Sequence, residues 1–244
     1  MVKSPLARIL LGLAALTLIG VAALALGTKP SYTLTNNGRN AVAAKGPSVI
    51  TPRSPESDAG LKTIAGNLST YPFGTYFCCF GNTLAQESSN FPFTSWVAIA
   101  FTPATNVTVT RIEASVGAFS SSDEGTGFDL SLREDNNGIP GKVIKNFAIA
   151  TPPIYGSCCT LDVGNDKTGI ALTAGTQYWI AATTTSKTTF AGGWAFNSTD
   201  MRGGYTIASY CKGPSNPDYC GTNNGKWVAG VSGDPLPAYA ILGN

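Results

Sequence analysis

A chain of 244 residues with six cysteines, 14 carboxylates and no histidine can do only certain chemistry. The missing imidazole removes a Ser-His-Asp triad, a Cys-His pair and every His-ligated zinc or iron site. Enzymes that remain open would rest on carboxylates, lysine or bound calcium. Glycoside hydrolysis needs two carboxylates across a cleft, roughly 5–9.5 Å apart. Asp123-Glu124, Glu134-Asp135, Asp162 and Asp166 fall mostly in turn-like stretches, where solvated charge is ordinary. No motif with a catalytic mechanism accompanies them. The chain is therefore not expected to be an enzyme, and a carboxylate-dependent glycoside hydrolase is the distant alternative.

Glu134-Asp135-Asn136-Asn137-Gly138 has the look of a calcium loop. With Gly138 as the sixth position of an EF-hand, Arg133 stands at the first and Ile144 at the twelfth, and both fail as ligands. A different calcium site from Asp129, Asp135 and Asn137 is the one metal candidate, against a plain hairpin turn at Asn137-Gly138. No other cofactor is indicated.

The cysteines are Cys78, Cys79, Cys158, Cys159, Cys211 and Cys220. An even number behind an export signal favours disulfides, with 15 connectivities open. Cys211–Cys220 would close a short loop rich in Pro, Gly and Asn, contributing about 2.5–3 kcal/mol on the chain-entropy model. The two adjacent pairs are harder to join. Neighbouring Cα atoms lie about 3.8 Å apart, so a vicinal bond needs a distorted peptide. One bond between the two Cys-Cys sites is simple, whereas two parallel bonds need irregular backbone, because adjacent strand residues point to opposite faces. A four-cysteine metal site lacks the C-x2-C spacing of structural zinc.

Aromatic side chains suggest a binding role. Trp194, Trp227, Tyr205, Tyr210 and Tyr219 stand among Asn, Thr and Gly, as do the rings of a sugar-binding surface. Trp227, following Asn223-Asn224-Gly225, is the best candidate for an exposed ring. Trp96 and Trp179, inside strand-like runs, are expected to fill the core. Asn67-Leu-Ser, Asn106-Val-Thr and Asn197-Ser-Thr match glycosylation acceptors, as a chain rich in Ser, Thr and Asn will do by chance.

Strands must position these groups. Gly169–Thr185 (GIALTAGTQYWIAATTT) is the organising stretch: Ile170 and Leu172 start one run, Ala174-Gly175 breaks it, and Tyr178 opens another. That second run has apolar groups on both faces, the mark of a strand covered on both sides. Thr75–Phe80, Ser95–Phe101, Val107–Val116, Phe128–Arg133, Lys142–Ile149, Phe190–Asn197, Tyr205–Ser209, Lys226–Val231 and Ala238–Leu242 read as further strands. In VTVTRIEASV the apolar parity changes, which predicts a bulge near Thr110-Arg111. No helical period lasts three turns. These signals predict an all-β, antiparallel, jelly-roll-like β-sandwich over 61–244.

Ahead of it, Lys3 and Arg8 precede the apolar run Ile9–Leu26, and Ala23-Leu24-Ala25 offers a small-x-small cleavage site. Residues 1–25 are thus a signal peptide or an uncleaved anchor helix, and the membrane is a partner only in the second case. Residues 26–60, punctuated by Pro and Gly, read as a linker or disordered arm. Charge is sparse at 12%, and a net charge of +2 gives no argument for nucleic acid.

The order FTPATNVTVTRIEASV, SLREDNNGIPGKVI, LTAGTQYWIAATTT and GGWAFN resembles the choice-of-anchor R type of bacterial extracellular domain over about Tyr71–Leu242. The adjacent cysteine pairs are similar to that family too. The resemblance implies an exported β-sandwich, secreted or on the cell surface, and transfers no catalytic residue. The function expected is a non-catalytic structural or interaction role, with a carbohydrate-binding module as the alternative, and glycans or other surface proteins as partners.

Overall fold

The computed structural model describes residues 33–35, 40–42, 60–68, 76–88, 91–120, 126–155, 161–197, 207–213, 220, 223–230 and 236–244, with backbone alone for 33–35, 40–42 and 76–80. All belong to one unit, Tyr32–Asn244. The expected signal or anchor at 1–25 lies outside the described residues, as does most of the arm. Among the described residues no helix is long and apolar enough to cross a membrane.

The fold is all-β. Its strands are β1 (Thr33–Thr35), β2 (Asn40–Val42), β3 (Lys62–Gly66), β4 (Tyr76–Ala85), β5 (Thr94–Phe101), β6 (Val107–Ala114), β7 (Val116–Ala118) and β8 (Phe128–Asp135). They continue as β9 (Pro140–Ile149), β10 (Asp162–Leu172), β11 (Tyr178–Thr183), β12 (Ala191–Asn197), β13 (Ile207–Lys212), β14 (Lys226–Ala229) and β15 (Tyr239–Gly243). Eleven form one antiparallel sheet, and the other four form a second in the order β10-β6-β15-β3. Within the large sheet the strands run β9-β8-β11-β5-β13-β14.

The organising strand β11 pairs with β5 on one side and β8 on the other, and all its residues are buried. Its two parities serve two cores. Tyr178, Ile180 and Ala182 join Val97, Ile99 and Phe101 of β5 in the main core, which they share with Ile112 and Ile241 of the second sheet. Trp179 and Ala181 join Ala98, Ala100 and Ala208 in a separate cluster on the opposite face. This sharing makes the fold sandwich-like. The spacing before β11 follows from its turn: the Thr173 N–H donates to the Tyr178 hydroxyl (3.1 Å), and the Ala174 N–H to the Asn106 side chain (2.8 Å).

The phase change in β6 is a bulge. Leu242 faces Arg111 and Gly243 faces Val109, so Thr110 is the extra residue. The turn after β8 is the two-residue hairpin that Asn137-Gly138 predicts, with φ of 54° and 82°. Two features differ from the strand reading. β10 begins at Asp162, well before Ile170, because a register shift between Asn165 and Ile170 hides its alternation. β1 and β2 fall inside the stretch 26–60, and β2 pairs with β4.

Two of the glycosylation matches are structural. Asn67 donates to the Pro237 carbonyl (2.8 Å) and accepts from the Tyr239 N–H (2.9 Å), which fastens β15. Asn197 donates to the Leu236 carbonyl (2.7 Å) and is fully buried.

Candidate functional site

Trp96 of β5, Tyr210 of β13 and Trp227 of β14 are direct cross-strand neighbours in one row, Trp96 opposite Tyr210 and Tyr210 opposite Trp227. Period-two alternation sets their side. Val97 and Ile99 enter the main core, so alternation puts Trp96 on the side of Ala98 and Ala100, while its half-buried side chain also packs against the main core. Trp96 and Tyr210 are stacked, with centroids 4.1 Å apart and planes 15° from parallel. Trp227 leans over them, 5.7 Å from Tyr210 at 56° and 6.1 Å from Trp96 at 42°. All three rings are half-buried. The Trp96 indole N–H donates to the Thr184 hydroxyl (2.8 Å), which donates to the Gln86 side-chain oxygen (3.0 Å).

The hairpin presenting Tyr210 and Trp227 is tied at its tip. A disulfide joins Cys211 to Cys220 across a Cα–Cα distance of 5.3 Å. Asn224 accepts from the Gly213 N–H (3.0 Å) and donates to the Gly213 carbonyl (3.1 Å), while the Gly225 N–H donates to the Cys211 carbonyl (2.7 Å). Gly225 takes a φ of 76°, open to a glycine, where the chain turns into β14. The bond is consistent with an oxidising location. Cys78 and Cys79 lie in the backbone-only part of β4, and Cys158 and Cys159 lie outside the described residues.

The other sequence candidates separate. Trp194 is fully buried, its indole N–H donating to the Ala238 carbonyl (2.9 Å), so its ring is a core group that no ligand reaches. Tyr205 and Tyr219 lie outside the described residues. Trp179 is also fully buried, but on the outer-face cluster.

The calcium trio is not brought together. Asp129 and Asp135 stand six residues apart along β8, about 20 Å in an extended strand. Asp135 instead clasps two turns. Its Oδ1 accepts from the Trp179 indole N–H (2.7 Å) and the Gln177 amide (2.7 Å), and its Oδ2 from the Gly138 N–H (3.0 Å). Burial pushes this carboxyl up, but the three donors outweigh it and hold it below the ordinary aspartate value. Asn137 sits in the hairpin tip, its amide 3.5 Å from the Asn136 side chain. Among the described residues no three His, Cys, Asp or Glu gather as a metal-binding group.

An open hollow of about 630 Å³ between the two turns is bordered by Glu134 and Asp135, adjacent residues whose side chains leave the strand on opposite faces. Asp166 is held by Lys145 (2.7 Å) and Thr168, with Lys145 the larger cause of a strongly lowered pKa. Asp162 is buried and pushed up by that burial, against the N–H of Val116 (3.2 Å) and its own backbone N–H. Asp123 and Glu124 lie outside the described residues.

Trp227 and Tyr210 are among the sequence candidates; Trp96 is expected in the core and does pack against it, and its place in the row is what sequence reading misses. The signal is present in SWVAIAF, where the face opposite Val97, Ile99 and Phe101 carries one large ring and two alanines. For Thr184 and Gln86 there is no local signal, since only tertiary contact joins them. No family model matches the chain, and no curated protein and no solved structure matches it either.

Proposed function

We propose that this chain is an exported, non-catalytic interaction protein that engages its partner through the outer-face row Trp96–Tyr210–Trp227. One observation carries the reading: three large rings lie in register on a sheet face, two of them on a hairpin fastened by a disulfide and an asparagine clasp. Rings spread through a core would need no such fastening. A binding surface gains from it, because a side chain fixed beforehand loses little freedom on contact. The jelly-roll arrangement, the signal sequence and secretion or surface display belong to the same reading, supported by the resemblance to choice-of-anchor R domains and by the disulfide.

The test is retention of the labelled, oxidised full-length protein on cell envelopes of the organism that makes it. The parent is retained, and a Tyr210→Ala, Trp227→Ala double variant with unchanged circular dichroism is released. Equal retention of parent and variant sinks the assignment of this surface.

A further inference from the structure

We infer that the occupant of this surface is a carbohydrate chain, with one pyranose ring seated on the outward part of Trp227. The inference rests on the reading above and names its ligand class.

The rings do not contribute equally. Trp96 and Tyr210, nearly parallel at 4.1 Å, each give one face to the other. Trp227 is tilted relative to both and stacks on neither. Its inner side packs against the alanine cluster of the outer face, and the ring stays half-buried. What remains is an apolar contact about the size of a single ring.

That size selects the partner. A stable protein interface buries roughly 800 Å² on each side around an apolar centre. Among the described residues the exposed large hydrophobics are Val143 and Ile144, both on β9 at the opposite edge of the strand run from β14. Among the described residues Trp227 thus has no broad apolar surround. A pyranose ring presents a C–H patch of matching size on its face and hydroxyls around its rim, so it needs a ring to lie on and polar groups beside it.

Those polar groups are present. Asn223 and Asn224 lie just before Trp227 and are exposed, and Lys212, on the same parity as Tyr210, is exposed two residues after it. Each bond from Asn224 to Gly213 uses one of its two N–H groups or one of its two oxygen lone pairs. The amide is therefore aimed by the main chain yet keeps one donor and one acceptor for a hydroxyl. Lys212 adds a donor, which suits neutral or acidic sugars.

The experiment screens the oxidised full-length protein on arrays of hexose, N-acetylhexosamine and uronic acid oligosaccharides. It then titrates soluble β-1,4-glucan and chitin oligosaccharides, together with any array hit, by tryptophan fluorescence and calorimetry. The parent binds at least one pyranose class with a fluorescence change. Trp227→Ala weakens binding by about tenfold or more, Trp227→Phe retains most of it, and Val143→Ser on the far edge leaves it unchanged. No binding by the parent, or equal binding by parent and Trp227→Ala, overturns the inference; the parent titration needs no variant to fold. Envelope retention separates the two failures. If periodate treatment of the envelopes leaves retention intact while protease removes it, the interaction reading stands and the sugar falls.

Discussion

Removing the Asp135 carboxylate tests how the two turns beside the main sheet are held. In Asp135→Ala the Trp179 indole N–H, on a fully buried side chain, loses its acceptor. A buried donor left unsatisfied costs about 1–3 kcal/mol. Gln177 is half-buried and Gly138 lies in an open turn, so water replaces part of what they lose, and together they add about 1 kcal/mol. The total is about 2–4 kcal/mol, or about 4–16 °C in Tm for a domain of this size. Urea titration with unchanged m-value, checked by calorimetry, measures it. Asp135→Asn keeps one acceptor oxygen and should lose about half as much. The folded pKa of Asp135 is lowered, so its stabilisation is present above the unfolded value near about 4 and is lost as pH falls through the folded value. The gap between parent and Asp135→Asn must therefore shrink in acid. Adding Trp179→Phe should remove most of the cost of Asp135→Ala, because the orphaned donor is then gone. A loss under about 0.5 kcal/mol in Asp135→Ala, or full additivity with Trp179→Phe, would refute the argument.

Three further outcomes follow from other parts of the fold. Gly193→Ala places a methyl group 2.7 Å from the Tyr155 ring, which lies against this strand; a loss of about 1–3 kcal/mol is expected by chemical denaturation, and a neutral result means the ring moves freely aside. Replacing Cys211 and Cys220 with serine should lower stability by about 2.5–3 kcal/mol while the main-core signals stay native, whereas loss of the whole fold would show the clip to be needed well beyond its hairpin. Asp162 has a raised folded pKa, so its stabilising effect is complete below about pH 4 and is lost as pH rises above that. Between pH 4 and 7, where Asp135 and Asp166 stay ionised, Asp162→Asn should flatten the fall in Tm; an unchanged profile would remove the buried carboxyl as its cause.

The sequence shows the fold wherever period two survives. β8 keeps Phe128, Leu130 and Leu132 on one side, and β11 is apolar on both, so both are legible. β10 is not, because Asp166 and Thr168 form a local turn inside it. The Thr168 N–H and hydroxyl both bond Asp166 (2.9 and 2.6 Å), and the ladder resumes only at Ile170. The double glycine before Trp194 reads as weak strand, since glycine has no side chain to pack. Its reason is tertiary: Tyr155, far away in sequence, occupies the space that a Cβ at Gly193 would take. The site is legible to the same degree. Trp227 and Tyr210 stand out by type and by their Asn-Gly surroundings, but their alignment with Trp96 depends on strand register, which no local pattern contains.

The outer face explains why the rings gather at one end of the sheet. One row across five strands reads Ser131, Ala181, Ala98, Ala208 and Ala229, every member small. On one side of that row Trp179 lies between Arg133 and Ala100; on the other stand Trp96, Tyr210 and Trp227. Small residues sink the middle row, so large side chains from both flanks can lie across it and bury it. Arg133 does the same at its end, its Nε donating to the Ser131 hydroxyl (3.0 Å), and burial lowers its pKa against the opposing charge of Asp129. Among the described residues the stripe is thus covered by the sheet's own rings, and Trp227 rests on it half-buried. A larger side chain at Ala208 or Ala229 would lift that ring from its support. Binding should then weaken although no residue of the aromatic row has changed, and that coupling ties the surface to the register of the strands beneath it.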